Sequence, residues 1–159
     1  MLTRDKLTIY LQDHLAGATS GLELARRLAG ENKGTRYAKP LRQLAQDIEE
    51  DRRELEEIMA ALEIGADRVK NSAAWALEKA GRLKLNGSLL NYSPLSRVLE
   101  LEGLSAGVNG KLGGWRSLRE IAPQRPELDA AQLDRLIGRA ESQLDTLADL
   151  HRTAADGAF

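Results

Sequence analysis

The segment that decides the fold runs from Leu41 to Leu62 and reads LRQLAQDIEEDRRELEEIMAAL. Its apolar side chains recur at three- and four-residue steps, with one aspartate among them: Leu41, Leu44, Ile48, Asp51, Leu55, Ile58 and Leu62. Because such steps place side chains on one face of an α-helix, the segment predicts an amphipathic helix. Pro40 suits the first turn of this helix, and Gly65 is a stop signal.

A second stripe precedes this helix. It predicts a helix that begins at Thr3, an N-cap residue type, and ends near Ala29, with Gly30 as its left-handed cap. The stripe consists of Leu7, Leu11, His14, Ala18, Leu22 and Ala25.

Two further long helices are predicted downstream. Ser93-Pro94 starts the first of them, with serine as N-cap and proline at the first helical position, and Pro123 and Pro126 end it. Its stripe is Leu95, Val98, Leu101, Leu104, Val108, Leu112, Trp115 and Leu118. Asp129 and Gln132 resemble a capping box for the last helix. The stripe of that helix is Leu133, Ile137, Ala140, Leu144, Leu147 and His151.

Between the two pairs of long helices, Asp67 to Leu85 predicts a shorter and more basic helix that Asn86-Gly87 ends. The stretch from Gly65 to Tyr92 is long enough to travel back along a bundle. We therefore expect an all-α fold of residues 1–159 as a single domain. It would be a four-helix bundle with an additional short crossover helix between the second and third long helices.

The composition narrows the possible functions. The chain of 159 residues has 23 basic and 24 acidic side chains, a formal net charge of −1 and no cysteine. This balance favours neither nucleic acids nor anionic membranes as partners, and thiolate chemistry is excluded. The first residues carry charges and lack the apolar core of a signal peptide, and no apolar run is long enough to span a membrane. We expect a cytoplasmic protein.

The helix order resembles the ferritin-like superfamily over nearly the whole chain. That resemblance implies a di-metal centre in which two helices each give a glutamate and two each give Glu-x-x-His. Here the second long helix has Glu50 followed by Arg53, and the last helix has Glu141 followed by Leu144, so neither supplies the histidine. Glu23 and Glu102 stand for the single glutamates. The chain therefore resembles a member that lacks the di-metal motifs.

Both histidines of the chain, His14 and His151, fall on apolar stripes. Counting residues along each helical hairpin places His14 level with Asp51 and Glu102 level with His151. We expect two buried polar pairs, His14 with Asp51 and Glu102 with His151, because buried polar groups need partners. A general base or a mononuclear metal ligand is the alternative role of these histidines.

Glycines are aligned along the helix that starts at Ser93. They are Gly103, Gly107, Gly110 and Gly114, and the first helix has small residues at Gly17, Gly21 and Ala25. Glycine costs up to about 1 kcal/mol against alanine inside a helix, so a compensating contact is expected. Either the two helices cross closely at these glycines or this face meets a second copy of the chain. The other interpretation is a break or kink at Val108-Asn109-Gly110.

No phosphate-binding loop, nucleophile elbow or His-Glu-x-x-His pattern occurs in the sequence. Trp75 and Trp115 are predicted to be core or interface anchors. We therefore expect a non-enzymatic bundle that acts through protein–protein contacts, as a homo-oligomer and specifically a dimer, without a cofactor. One alternative is a ferritin-like protein with a degenerate or mononuclear metal site formed by His14, Asp51, Glu50 and Glu141. A second alternative is a small-ligand binder with a cavity between helices.

Overall fold

The computed structural model describes residues 2–66 and 91–159, and within them all regular structure is helical. The four long helices are α1 (Leu2–Glu31), α2 (Ala38–Ala61), α3 (Pro94–Ile121) and α4 (Ala130–Ala158), with a 3-10 turn at Ala122–Gln124. The prediction of an all-α bundle is therefore confirmed. The predicted crossover helix at 67–85 and Trp75 lie outside the described residues.

The helix starts follow the capping residues in the sequence. The Ser93 hydroxyl accepts a hydrogen bond from the Ser96 amide at 3.1 Å, and the Ser96 hydroxyl accepts one from the Ser93 amide at 3.2 Å. This reciprocal capping box satisfies amides that have no partner within the helix. At α4 only half of the predicted box forms. The Asp129 carboxylate accepts from the backbone, whereas the Gln132 side chain reaches Glu54 instead.

The end of α2 differs from the prediction. Helix α2 ends at Ala61, before the predicted stop signal Gly65, and Glu63 takes the left-handed conformation, with φ of 58°. The Ile64 amide donates to the Met59 carbonyl at 2.8 Å and the Glu63 amide donates to the Ala60 carbonyl at 3.0 Å, the two hydrogen bonds of a Schellman motif. Ile64 is buried, so an apolar contact after the turn stabilises this termination at a residue other than glycine.

Side-chain contacts give the direction of each helix. The α1–α2 and α3–α4 hairpins are antiparallel. Helix α1 is also antiparallel to α3, since Tyr10 bonds Ser117 near one end and Asn32 bonds Arg97 near the other. Helices α2 and α3 are therefore parallel to each other. The chain leaves α2 at the end where Gln12 bonds the Gly65 carbonyl, and it enters α3 at the opposite end.

The core lies where the predicted stripes meet. Its largest fully buried side chains are Leu11, Leu15, Leu28, Leu41, Met59, Leu101, Leu104, Leu118, Leu133, Leu136 and Leu147. Leu95, the first residue of the α3 stripe, is an exception and is exposed because it lies in the first turn, at the end of the bundle. Among the described helices, none is long and apolar enough to cross a membrane.

A polar cluster closes the end of the bundle where α1 finishes and α3 begins. Asn32 is fully buried there, donates to the Leu28 carbonyl and to the Tyr92 hydroxyl, and accepts from Arg97 at 2.6 Å. The Arg97 guanidinium also lies 4.3 Å from the centre of the Tyr37 ring. Burial raises the pKa of Tyr92 above its ordinary value. This cluster fixes the register between α1 and α3.

Candidate ligand cavity between helices α1 and α3

A cavity of about 440 Å³ lies between α1 and α3, and α2 forms its inner wall. Most of its lining is apolar: Leu11, Ala18, Ile48, Leu55, Leu104, Val108, Trp115 and Leu118. Four charged residues also line it, Asp13, Asp51, Arg52 and Lys111. An apolar cavity of this size with a few polar groups is typical of small-molecule sites, which span roughly 300–1,000 Å³.

The aligned glycines form the rim of this cavity instead of a close helix crossing. Gly17 and Gly21 of α1 and Gly107 and Gly110 of α3 line the cavity, and a Cβ built at any of them meets no heavy atom within 4 Å. The predicted tight crossing is therefore absent at these four positions. Gly17, Gly107 and Gly110 are exposed, so the missing side chains leave the space between the helices open to solvent.

The alternative prediction of a break at Val108-Asn109-Gly110 also differs from the structure. Helix α3 is continuous from Pro94 to Ile121, and Val108 is buried. Gly103 is half-buried on the same helix and is not among the residues that line the cavity. The glycines thus cost helix propensity without interrupting the helix.

His14 projects into the cavity and does not bond Asp51. Its ring packs edge-on against the Tyr10 ring, with 4.5 Å between centroids, and a Cβ built at Gly114 would lie 2.8 Å from its Cε1 atom. Within the described part of the chain, neither ring nitrogen forms a hydrogen bond. Burial lowers the pKa of His14 below 6.5, against a smaller opposite effect of Asp13. The imidazole is therefore neutral at pH 7.

Trp115 lies beside His14 on the cavity wall. It is 2% exposed, and its indole Nε1–H has no hydrogen-bond partner among the residues that the structure describes. Trp115 was predicted as an anchor, and it is part of the core cluster. A donor buried without a partner costs roughly 1–3 kcal/mol.

Asp51 bonds cationic side chains of α3 and α4. The sequence predicted His14 as its partner. Lys111 Nζ lies 2.5 Å from its Oδ2 atom, Arg139 Nε lies 2.6 Å from its Oδ1 atom, and Gln143 Nε2 donates to Oδ2 at 2.9 Å. Asp51 is 1% exposed, and two cations compensate its buried charge better than a neutral imidazole does. Lys111 also donates to Gln143 Oε1 at 2.6 Å.

Glu54, one turn after Asp51, extends this network between α2 and α4. Arg135 bonds both of its oxygens, at 3.0 Å and 2.7 Å, and Arg139 and Gln132 add further hydrogen bonds. The Arg135 hydrogen bonds are the main reason why the pKa of Glu54 falls from 4.5 to about 2, against the effect of burial. Glu54 is therefore ionised and fully bonded at neutral pH.

The second predicted pair lies at the surface. His151 Nε2 is 2.9 Å from Glu102 Oε1, and the two side chains are 37% and 54% exposed. The contact therefore forms, but outside the core, because Glu102 flanks the apolar stripe of α3. Neither residue lines the cavity between α1 and α3.

The four metal-ligand candidates do not form one site. His14 lines the cavity, Asp51 is bonded to Lys111 and Arg139, and Glu50 lies 3.5 Å from Arg53 and Arg139. Glu141 pairs with Arg116 at the surface. The described residues hold no group of three or more His, Asp or Glu side chains placed to bind a metal ion. The acidic groups face cations, which does not fit a di-metal centre.

Sequence reasoning missed Lys111, Arg139 and Glu54. A usable signal existed for one of them, because Lys111 is the only charged residue between Glu102 and Arg116, in the middle of an otherwise apolar and glycine-rich helix. A lone lysine in such a segment predicts a buried counter-charge. Arg139 and Glu54 lie among many other charged residues, and their pattern gives no such indication.

Comparison with protein-family models, with curated proteins and with solved structures finds no match for this chain.

Proposed function

We propose that this chain is a non-enzymatic helical bundle that binds a small, mainly apolar ligand in the cavity between α1 and α3. The observation that carries the proposal is the cavity itself, with an apolar lining and a rim of glycines that leave it open. A bundle that only needed a close-packed core would place side chains at Gly107 and Gly110, because alanine favours the helix and has free space there.

The state of the acidic groups supports binding without catalysis. Both oxygens of Asp51 and both oxygens of Glu54 accept hydrogen bonds from cationic side chains. Neither carboxylate is free to act as a general base. Among the residues that the structure describes, no carboxylate bonds the His14 ring, so the orienting partner of a catalytic histidine in hydrolytic sites is missing from this part of the chain.

The test uses decanol, a neutral apolar molecule, and calorimetric titration. The native chain should bind decanol, and the double variant Gly107→Leu/Gly110→Leu should bind it at least about tenfold more weakly, because two leucines fill the rim. Gly138→Leu is the matched control, since Gly138 is an exposed helical glycine of α4 with free space around it and lies outside the cavity. Equal affinity in all three proteins, or no binding to the native chain, would contradict the proposal.

Self-association is a second candidate function, with one observation in its favour. Ile9 and Tyr10 are adjacent on α1 and are 50% and 36% exposed, and Tyr10 lines the cavity. We propose that this edge of α1 contacts a second copy in a homodimer. Light scattering of the native chain and of Ile9→Lys tests this. A dimer that Ile9→Lys converts to monomer supports it, and a native monomer at high concentration contradicts it.

We also propose that the bundle has the ferritin-like topology. The parallel arrangement of α2 and α3 supports this, because a single long connection joins them in such folds. Arg53 and Leu144 stand where ligand histidines would be, and Lys111 and Arg139 supply positive charge to Asp51. The residues present therefore do not fit the di-metal group of that superfamily, and we propose no cofactor.

A further inference from the structure

We propose that ligand binding in the cavity between α1 and α3 is coupled to the protonation of His14, so that the cavity binds its apolar ligand while the imidazole is neutral and releases it in acid. This inference rests on the proposed ligand-binding function and adds the regulation of that site. Three features of the cavity carry it: the position of the imidazole on the wall, its unbonded nitrogens, and the pairing of the charged groups that face it.

The His14 ring packs against α3 at one end of the glycine rim. Helices α1 and α3 are antiparallel, so Tyr10 lies opposite Ser117 and His14 lies opposite Gly114. A Cβ built at Gly114 would lie 2.8 Å from Cε1, 3.0 Å from Nδ1 and 3.2 Å from Nε2 of His14. Because the three distances are so similar, a face of the ring covers Gly114. The two nitrogens bond in the ring plane and are therefore not directed at the backbone of α3.

Water can reach the nitrogens of the His14 ring. Within the described part of the chain neither nitrogen forms a hydrogen bond, and neither is fully buried, in contrast to the unbonded indole nitrogen of Trp115. The cavity that His14 lines is open at Gly107 and Gly110, where a Cβ meets no heavy atom within 4 Å. In the ligand-free protein, water in this open cavity hydrates the ring when it takes up a proton.

The charged residues that face the cavity from α2 and α3 are already paired. Asp51 of α2 bonds Lys111 through one carboxylate oxygen and Arg139 through the other. Lys111, the charged lining residue of α3, is thus itself a partner of Asp51. Arg52 of α2 lies 3.1 Å from Glu56. Within the described ranges α4 contributes no residue to the cavity wall, so these three elements offer an imidazolium no free carboxylate there.

Asp13 is the charged neighbour of His14 on α1 itself. It is exposed, and adjacent residues of a helix do not face each other, so its carboxylate acts on the imidazole through space. That effect raises the pKa of His14 but is smaller than the effect of burial, which lowers the pKa below 6.5. The surroundings of His14 therefore favour its neutral form.

The ligand and the proton exclude each other at His14. An imidazolium without a carboxylate partner depends on water, because removing a charge from water without a compensating partner is costly. An apolar ligand that fills the cavity displaces this water. Binding therefore stabilises the neutral imidazole, and by thermodynamic linkage protonation weakens binding. The affinity should be constant above pH 6.5 and should fall as the pH drops through the pKa of His14 in the ligand-free protein.

The first experiment titrates decanol calorimetrically into the native chain, His14→Gln and His151→Gln at neutral and acidic pH. Decanol stays neutral throughout, so any pH dependence comes from the protein. One pH unit below the pKa of His14, which NMR of its ring protons measures, the native chain should bind decanol about tenfold more weakly than at neutral pH. His14→Gln should bind with an affinity that does not depend on pH. His151→Gln is the matched control and should keep the native pH dependence, because His151 pairs with Glu102 outside the cavity.

The reciprocal effect can be measured without a substitution at His14. Decanol at about ten times its dissociation constant should lower the pKa of His14, followed by NMR of the native chain, by about one pH unit. The titration of His151 should not change, and His151→Gln assigns the two histidine signals. Both measurements stay within the pH range in which the circular dichroism of the native chain equals its value at neutral pH.

The outcomes separate the two proposals. Decanol binding at neutral pH with an affinity that acid does not change would overturn the coupling and leave the proposed function in place. An equal loss of affinity in acid for the native chain and His14→Gln would assign the effect to another group and also overturn the coupling, as would an unchanged pKa of His14 at saturating decanol. Absence of decanol binding to the native chain at neutral pH would overturn the proposed function itself.

Discussion

The His14 imidazole occupies the place that a side chain at Gly114 would take. A Cβ at residue 114 would lie 2.8 Å from His14 Cε1 and 3.0 Å from Nδ1, whereas the neighbouring Gly110 has free space around it. A side chain at residue 114 would therefore have to displace the His14 ring, whereas a side chain at residue 110 would only reduce the opening of the cavity.

This difference predicts opposite effects of the same substitution. Gly114→Ala should lower the free energy of unfolding by about 1 kcal/mol, because overpacking costs of about 1–3 kcal/mol exceed the gain in helix propensity. Gly110→Ala should raise it by up to about 1 kcal/mol. Urea denaturation measures the free energy of unfolding of both variants. Two equally stabilised variants would show that the His14 ring moves aside without cost.

His14 should make the stability depend on pH. Burial lowers its pKa in the folded state below the ordinary value of 6.5, so the unfolded chain binds the proton more readily. Folded stability should therefore be complete above pH 6.5 and should fall as the pH drops toward the folded pKa.

Thermal unfolding of the native chain and of His14→Gln between neutral and acidic pH measures this effect. The native chain should lose stability relative to the variant as the pH falls. In Asp13→Asn the loss should be larger, because Asp13 raises the pKa of His14. Parallel curves for the native chain and His14→Gln would contradict the prediction.

The ionised Glu54 side chain should stabilise the folded chain, and this stabilisation should be lost at acidic pH. Its pKa is about 2 in the folded state and 4.5 unperturbed, and its side chain is 8% exposed. Its contribution should be fully present above pH 4.5 and lost as the pH falls toward 2. After allowance for the half-exposed Arg135 partner, Glu54→Gln should cost about 2 kcal/mol at neutral pH.

Glu141→Gln is the matched control for Glu54→Gln, because it breaks the exposed pair with Arg116. Exposed ion pairs contribute about 0–1 kcal/mol, so the control should change stability by less than Glu54→Gln does. Chemical denaturation at neutral and acidic pH measures both variants. A similar small loss in each would show that the Glu54 network contributes no more than a surface pair.

Asp51→Asn should be among the most destabilising single substitutions in the polar seam, the network between α2, α3 and α4 that consists of Asp51, Glu54, Lys111, Arg135 and Arg139. It leaves Lys111 and Arg139 facing a neutral amide in a buried position, at a cost of about 3–5 kcal/mol. Asp47→Asn, one turn earlier on α2, changes a half-buried carboxylate that accepts a hydrogen bond from Gln43, and it should cost less than about 1 kcal/mol. Equal denaturation midpoints for both variants would contradict this account of the seam.

The sequence predicted helices and caps more successfully than side-chain partners. The stripes of α2 and α3 and the Ser93 cap follow from periodicity and local hydrogen bonding, which short segments specify. Counting residues placed His14 level with Asp51, and both residues do line the same cavity. The pairing itself could not be predicted, because it depends on long side chains of α3 and α4 that compete for Asp51.

The role of the glycine row on α3 could not be predicted from the sequence either. Its alignment on one face of α3 follows from the spacing, but a row of glycines suits a close helix crossing and an open rim equally well. Which of the two forms depends on the distance between the helices, and the spacing of the glycines does not specify that distance.

The polar seam bears on the order in which the chain assembles. Asp51 and Glu54 belong to the first hairpin to be synthesised, and their cationic partners belong to α3 and α4, which follow much later. Until those helices emerge, the first hairpin presents two hydrated carboxylates on the face it will later bury. We expect the repulsion between these carboxylates to disfavour pairing of two unfinished hairpins through this face, and the cations of α3 and α4 to bind the carboxylates once the second hairpin docks.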